Sequence, residues 1–325
     1  MSHNSTRRDF LQTCAGALAA GAASRLGPLA APAKARVVIA RDAALRGSGA
    51  TPDSARLLKL LDRGLQTLYD RDTALEAWRQ LVRPNEVVGL KVNCLGGRGL
   101  STTVTLVEAI SERLQQAGIR DIVVWDRSER DLEAGGFYPR QRRGPVRCIG
   151  NDEAGFENDL SVYGSVGSRL SRTLTRTCDA VINLPVLKDH GLTGFTGALK
   201  NFYGAVHNPN KYHPNGGDPY IADLHMLPQI RAKMRLTIND GTTAQYEGGP
   251  GYKPQWTWHY NGLVLGRDAV ALDYVGWQII DAKRAQQRLK SLAADGREPR
   301  YIATAADPRH RLGTDDPALI ERLEV

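Results

Sequence analysis

The chain has 325 residues, with 43 Lys and Arg against 35 Asp and Glu, and a formal net charge of +8. A hydrophobic fraction of 42% supports a sizeable core, and the small basic excess comes without a dense basic run, so no nucleic-acid partner is expected. Four cysteines with no C-x-x-C pair exclude a disulfide scaffold and give no cluster spacing, so no intrinsic iron–sulfur cluster is expected.

Residues 1–35 read as an address. Thr6-Arg7-Arg8-Asp9-Phe10-Leu11 precedes a mild, alanine-rich apolar run from Cys14 to Ala23, and Ala33-Lys34-Ala35 closes the segment with small residues. The pattern resembles a twin-arginine (Tat) export signal, which implies the Tat machinery as a partner and a periplasmic destination. The apolar run is too short and too rich in glycine for a stable membrane span. Residues 36–325 read as a single α/β domain.

Arg36 to Arg41 is a first strand. Pro52 opens a helix carrying Leu57, Leu58, Leu61, Leu65 and Leu68, and Thr73 to Val82 is a second helix stopped by Pro84. Glu86 to Asn93 is an apolar strand with Lys91 and Asn93 on one face of its tip. Gly96, Gly97 and Gly99 then lead to a helix over Val104 to Ala117, and Asp121 to Asp126 is a third strand. That unit has the length of a right-handed βαβ crossover. Ser128 to Gly144, with Arg140, Arg142 and Arg143, reads as a surface excursion or lid. Val146 to Ile149 is a further strand, and Ser168 to Thr177 a helix.

The stretch from Asp179 to His207 organises the chain. Val181, Ile182, Leu184 and Val186 form one buried strand, with Lys188, Asp189 and His190 beyond its carboxyl end. Gly191, Gly194 and Gly197 punctuate a loop into a helix carrying Lys200 and Asn201. Ligands of open α/β sheets bind outside the carboxyl ends of the strands, and two polar tips followed by glycine turns suit an anion.

Asn208 to Pro219 is a long turn-rich loop, and Tyr220 to Lys233 a helix. Met234 to Asp240 is a strand, Glu247 to Gly251 a loop, Leu263 to Gly266 a strand, and Ala269 to Ala282 a helix capped near Asp268. Arg284 to Asp295 reads as a charged helix, Tyr301 to Ala305 as an edge strand, and Pro317 to Leu323 as a last helix. Four of the seven histidines fall between His190 and His225. One reading of His207, His213, His225 and Asp240 is a divalent-metal site; the other is a loop of hydrogen-bonded histidines.

The segment INLPVLKDHGLTGFTGALKNFYGAV resembles the Domain of Unknown Function 362 family: an apolar Asn-Leu-Pro strand, Lys-x-His, and Thr-Gly-Ala-Leu-Lys-Asn. Lys91-x-Asn93, Asp240-Gly241, Glu247-Gly248-Gly249-Pro250 and Asp268-x-Val270-Ala271-x-Asp273 resemble it too. The family is defined by sequence and implies no settled reaction. Some of its members look fused to ferredoxin-type modules whose cysteine runs are missing here.

The expectation is a three-layer α/β/α sandwich with a mainly parallel or mixed sheet and a long irregular loop region. Lys91, Asn93, Lys200 and Asn201 are the candidates for holding a small carboxylate or phosphate. His190, Lys188 and Glu247 are the candidate catalytic residues. A binding or cofactor-handling protein without turnover, and a redox accessory protein, are the alternative readings.

Overall fold

The computed structural model describes residues 34–139 and 143–325. Arg7, Arg8, Arg140 and Arg142 lie outside them.

In chain order, β1 (Ala35–Arg41) is followed by helices α1 (Ser54–Tyr69) and α2 (Ala74–Leu81). Asp53 caps α1 by accepting from the Arg56 N–H, and Thr73 with Glu76 forms a capping box on α2. Next come β2 (Val87–Lys91), α3 (Val104–Gln116), β3 (Asp121–Asp126), α4 (Glu129–Gly135) and β4 (Val146–Gly150). A hairpin of β5 (Ser161–Tyr163) and β6 (Val166–Ser168) precedes β7 (Ala180–Asn183), β8 (Val186–His190) and β9 (Gly194–Thr196). Then follow α5 (Tyr220–His225), β10 (Met234–Gln245), β11 (Thr257–Trp258), β12 (Gly262–Gly266), α6 (Ala269–Gln286), α7 (Tyr301–Ala306) and β13 (Ile320–Glu324).

The main sheet has 11 strands, with the path β13-β1-β12-β10-β7-β2-β3-β4. The run β10-β7-β2-β3-β4 is parallel, whereas β12 is antiparallel to both β10 and β1, so the sheet is mixed. Apolar side chains fill both faces. Leu57, Leu61, Trp78 and Ile110 pack with Val88 and Leu90 on one side. Trp125, Val181, Phe195 and Val275 pack on the other. The result is an α/β sandwich.

The structure redraws several elements. The single strand expected over 181–186 is two strands, because Pro185 supplies no N–H and breaks the ladder. β7 pairs with the first part of β10, and β8 with its second part, which runs past Asp240 to Gln245. Lys188 and His190 therefore lie within a strand, not beyond one. The helix expected at Lys200 is a 3-10 turn, Lys200–Ala205. The helix expected over 220–233 breaks at Met226 into α5 and a turn, Pro228–Arg231. Only one turn of helix, Thr173–Thr177, forms within 168–177, since Ser168 pairs in β6. The charged stretch 284–295 is the end of α6 followed by turns, and the excursion after Ser128 begins with α4.

The two C-terminal assignments exchange types. Tyr301, Ile302 and Ala305 bury one helical face in α7, and β13 adds to the sheet edge parallel to β1. Both segments are short, and packing against a neighbour decides them.

Candidate functional site

β2, β3 and β7 run parallel, with Lys91 opposite both Trp125 and Asn183, so their carboxyl ends open on one edge. There lies a cavity of about 620 Å³, lined by Lys91, Asn93, Lys188, His190, Lys200, Asn201 and His213 among others. Within β8 alternate side chains share a face. Lys188 and His190 line the cavity, and Asp189 between them points away to Arg297, with Nη1 donating to Asp189 Oδ2 at 3.0 Å.

Lys91 is fully buried and charge-paired. Its Nζ donates to Asp126 Oδ1 and to the Val92 carbonyl, both at 2.7 Å. Asp126 Oδ2 accepts from the Cys94 N–H at 2.7 Å, so this carboxylate fixes the turn after β2 as well as the lysine. A Cβ at Gly204 would stand 2.8 Å from Lys91 Nζ and 2.9 Å from Asp126 Oδ1, so a larger residue there would press on the ion pair. The amide of Asn201 ties the strand tips together. Its Nδ2 donates to Asn183 Oδ1 at 2.8 Å and to the Lys91 carbonyl at 3.2 Å, while its Oδ1 accepts from Asn93 Nδ2 at 3.0 Å.

The other two lysines are buried with no acid within ion-pair distance among the described residues. Lys188 Nζ donates to Asn93 Oδ1 at 2.9 Å and to the Pro250 carbonyl at 3.2 Å. Burial pulls its pKa down to about 8. Lys200 Nζ lies 3.1 Å from His213 Nε2 and 4.0 Å from the centre of the Tyr203 ring. Burial, and then the charge of Lys188, pull Lys200 down to about 7. A buried carboxylate sets the position of Lys200: Asp273 on α6 accepts from the Ala198 N–H at 2.5 Å and from the Leu199 N–H at 3.1 Å.

His190 has its tautomer fixed. Nδ1 accepts from the Leu192 and Thr193 N–H groups at 3.1 and 3.3 Å, so in the neutral ring the proton sits on Nε2. Burial, and then Lys200, hold its pKa down to about 2, and His213, stacked on it at 5.5 Å, is held down to about 4 for the same two reasons. Both rings are neutral near pH 7, and His190 faces the cavity as a donor, not as a base.

Glu247 lies outside the cavity lining. It pairs with Arg284 and, at 2.7 Å, with Arg297 Nη2. It belongs to a brace on the far side of β8, where Asp189 Oδ1 also accepts from the Gly249 N–H at 2.8 Å. That brace sets the loop whose Pro250 carbonyl reaches Lys188.

The four metal candidates do not converge. His207 accepts from the Arg169 N–H through Nδ1, and His225 Nε2 lies 2.8 Å from the Leu199 carbonyl. Asp240 accepts from the Thr103 N–H at 2.7 Å and from the Thr103 hydroxyl at the start of α3. Only His213 lines the cavity, and among the described residues no group of three or more His, Cys, Asp or Glu is placed to hold a metal ion. Sequence reasoning placed Asp126 at a strand tip but left it out of the site; its position beside Lys91 across a parallel pair was the available signal. Tyr203 and Asp273 stood inside the family-like motifs, but nothing in their spacing tied them to Lys200.

No described helix is long and apolar enough to cross a membrane. The chain is 27% identical over 228 residues to a thylakoid-associated protein of Synechocystis, covering 64% of this chain and 69% of that one. It is similar to a crystal structure of a Thermotoga maritima protein (14% identity, TM-score 0.43) over 74% of this chain and 60% of that one. It is also similar to the lactate racemase apoprotein of Thermoanaerobacterium thermosaccharolyticum (10% identity, TM-score 0.39) over 73% of this chain and 55% of that one. The chain thus spans less than two thirds of either solved structure. A family model matches residues 88–278, a span that holds every side chain named in the cavity, and the chain belongs to that family, described as Domain of unknown function (DUF362).

Proposed function

We propose that this chain is an exported enzyme acting on a small carboxylate or phosphate, with Lys200 as the group that exchanges a proton. One observation carries the reading: Lys188 and Lys200 are buried in one cavity without a carboxylate partner among the described residues. Two ammonium groups so placed repel each other and lack solvation, and an anion relieves both costs. Lys91, already paired with Asp126, shapes the floor, and the Nε2–H of His190 is a further donor. An amine with a pKa of about 7 exists in both forms near neutrality, as proton transfer needs.

A second reading, binding without turnover, draws on His190, whose Nδ1 is already occupied by two backbone N–H groups and whose ring is neutral near pH 7, which leaves it no free lone pair to take up a proton. Calorimetric titration with phosphate and acetate tests the shared part: binding lost in Lys188→Met and Lys200→Met supports it, and equal binding in wild type and both variants refutes it. Product formation from a bound carboxylate, followed by NMR, separates enzyme from binder. Export is tested by replacing Arg7 and Arg8 with Lys; cell fractionation should then find the chain retained in the cytoplasm, and unchanged periplasmic yield would refute the Tat reading.

A further inference from the structure

Six large apolar side chains stand exposed among the described residues, and two of them, Leu95 (47% exposed) and Leu192 (63%), line this one cavity. They come from separate turns. Leu95 follows the tip of β2, and Leu192 sits in the turn between β8 and β9. That turn ends at a close approach: Gly194 has φ +77, and a Cβ there would meet the Arg297 carbonyl. A third exposed apolar side chain, Tyr252, lies two residues past Pro250 and packs on Gly99 in the turn that carries Leu95. Neither leucine belongs to the apolar clusters on the two sheet faces, so the fold does not use them. Leucines at two turn tips expose apolar surface that burial would favour removing from water.

Beneath this apolar rim lie Lys188, Lys200 and the His190 ring. The cavity is therefore divided, cationic at the floor and bordered at the mouth by the two leucines, with the ion-paired Arg127 and Asp131 also in its lining. We propose that its ligand is an amphiphilic anion: an acidic head seated at Lys188 and Lys200, with an unbranched apolar chain lying against Leu95 and Leu192. The inference rests on the anion reading of the lysines and adds the chemistry of the rest of the ligand. A compact anion such as phosphate or acetate fills the floor and leaves the rim wet. The same chemistry is met by a soluble fatty acid or alkyl phosphate and by an anionic membrane lipid.

The test is a chain-length series, acetate to octanoate and methyl to hexyl phosphate, titrated into the wild-type protein, Leu95→Ser and Leu192→Ser. Both leucines are exposed, so the serine variants keep the fold. Affinity should rise about threefold to fourfold per added methylene in the wild type. It should flatten in the variants, with acetate and methyl phosphate unaffected. A flat series in the wild type, or an equal slope in all three proteins, overturns the proposal while short-anion binding leaves the anion reading standing. If 1-hexanol binds as tightly as hexanoate, the apolar rim stands and the anion reading falls, and with it the acidic head. Sedimentation with anionic phospholipid vesicles distinguishes the sources: retention lost in Leu192→Ser assigns a membrane lipid, and no retention beside a rising soluble series assigns a free organic anion.

Discussion

Lys188 Nζ donates to Asn93 Oδ1 at 2.9 Å across 95 residues of chain, joining the middle of β8 to the turn after β2. The acceptor is neutral, so the ammonium keeps its charge for something else. Asn93→Asp puts a carboxylate of the same shape beside it. Anion affinity should fall at least about tenfold, or ~1.4 kcal/mol. Titration with phosphate or a carboxylate measures this, and unchanged affinity would show that Lys188 takes no part in binding.

Lys200 should matter more than any solvated lysine. Lys200→Met removes a charged donor, which is worth roughly 1.5–3 kcal/mol, so anion binding should weaken by about tenfold to a hundredfold. Lys59, exposed on α1, is the control, and Lys59→Ala should change affinity or stability by no more than about 0.5 kcal/mol. Equal responses would make Lys200 a passive residue.

The two lysines give opposed pH dependences. In the folded chain their pKa values are about 8 and about 7, below the 10.5 of an unhindered lysine. Between about pH 7 and 10.5 the unfolded chain binds more protons, so the stability of the ligand-free protein rises with pH, by at most about 1.4 kcal/mol per unit for each lysine. Anion binding needs the charged forms and should weaken as pH rises through 7 and then 8. Urea unfolding and anion titration over pH 6–10 measure the two trends, and trends of the same sign would count against these lysines as the anion site.

Arg297 neutralises Asp189, whose side chain is fully buried. Burial pushes the Asp189 pKa up, opposed by the Gly249 N–H and by Arg297. Arg297→Ala leaves that carboxylate unpaired and should cost about 3 kcal/mol or more. The loop carrying Pro250 should also shift, which weakens anion binding. A urea midpoint within error of wild type would show that Asp189 is satisfied by Gly249 alone.

Much of the sheet was legible because apolar runs bounded by glycine, proline and charge carry their own period. β2, β3 and α3 are of that kind, and so was the edge of the sheet at which Lys91 and Lys188 meet. The parts that were not legible depend on partners far away in sequence. β13 is a strand because β1 offers it an edge, and Glu247 is a brace because Arg284 and Arg297 converge on it. Histidines crowded in sequence suggested a common ligand, yet His207, His225 and Asp240 each hold a different piece of backbone.

Pro185 has an outcome beyond the ladder it interrupts. Everything before it, Ala180–Asn183, is locked into a parallel register with two neighbours, whereas everything after it rests on the outer half of β10 and on a loop brace. Residues 186–196, with Leu187 and Phe195 in the core, thus take their place from partners that come later in the chain: β10, the Gly249 loop and Arg297. A graft of this segment from one family member onto another should fold only when those partners travel with it.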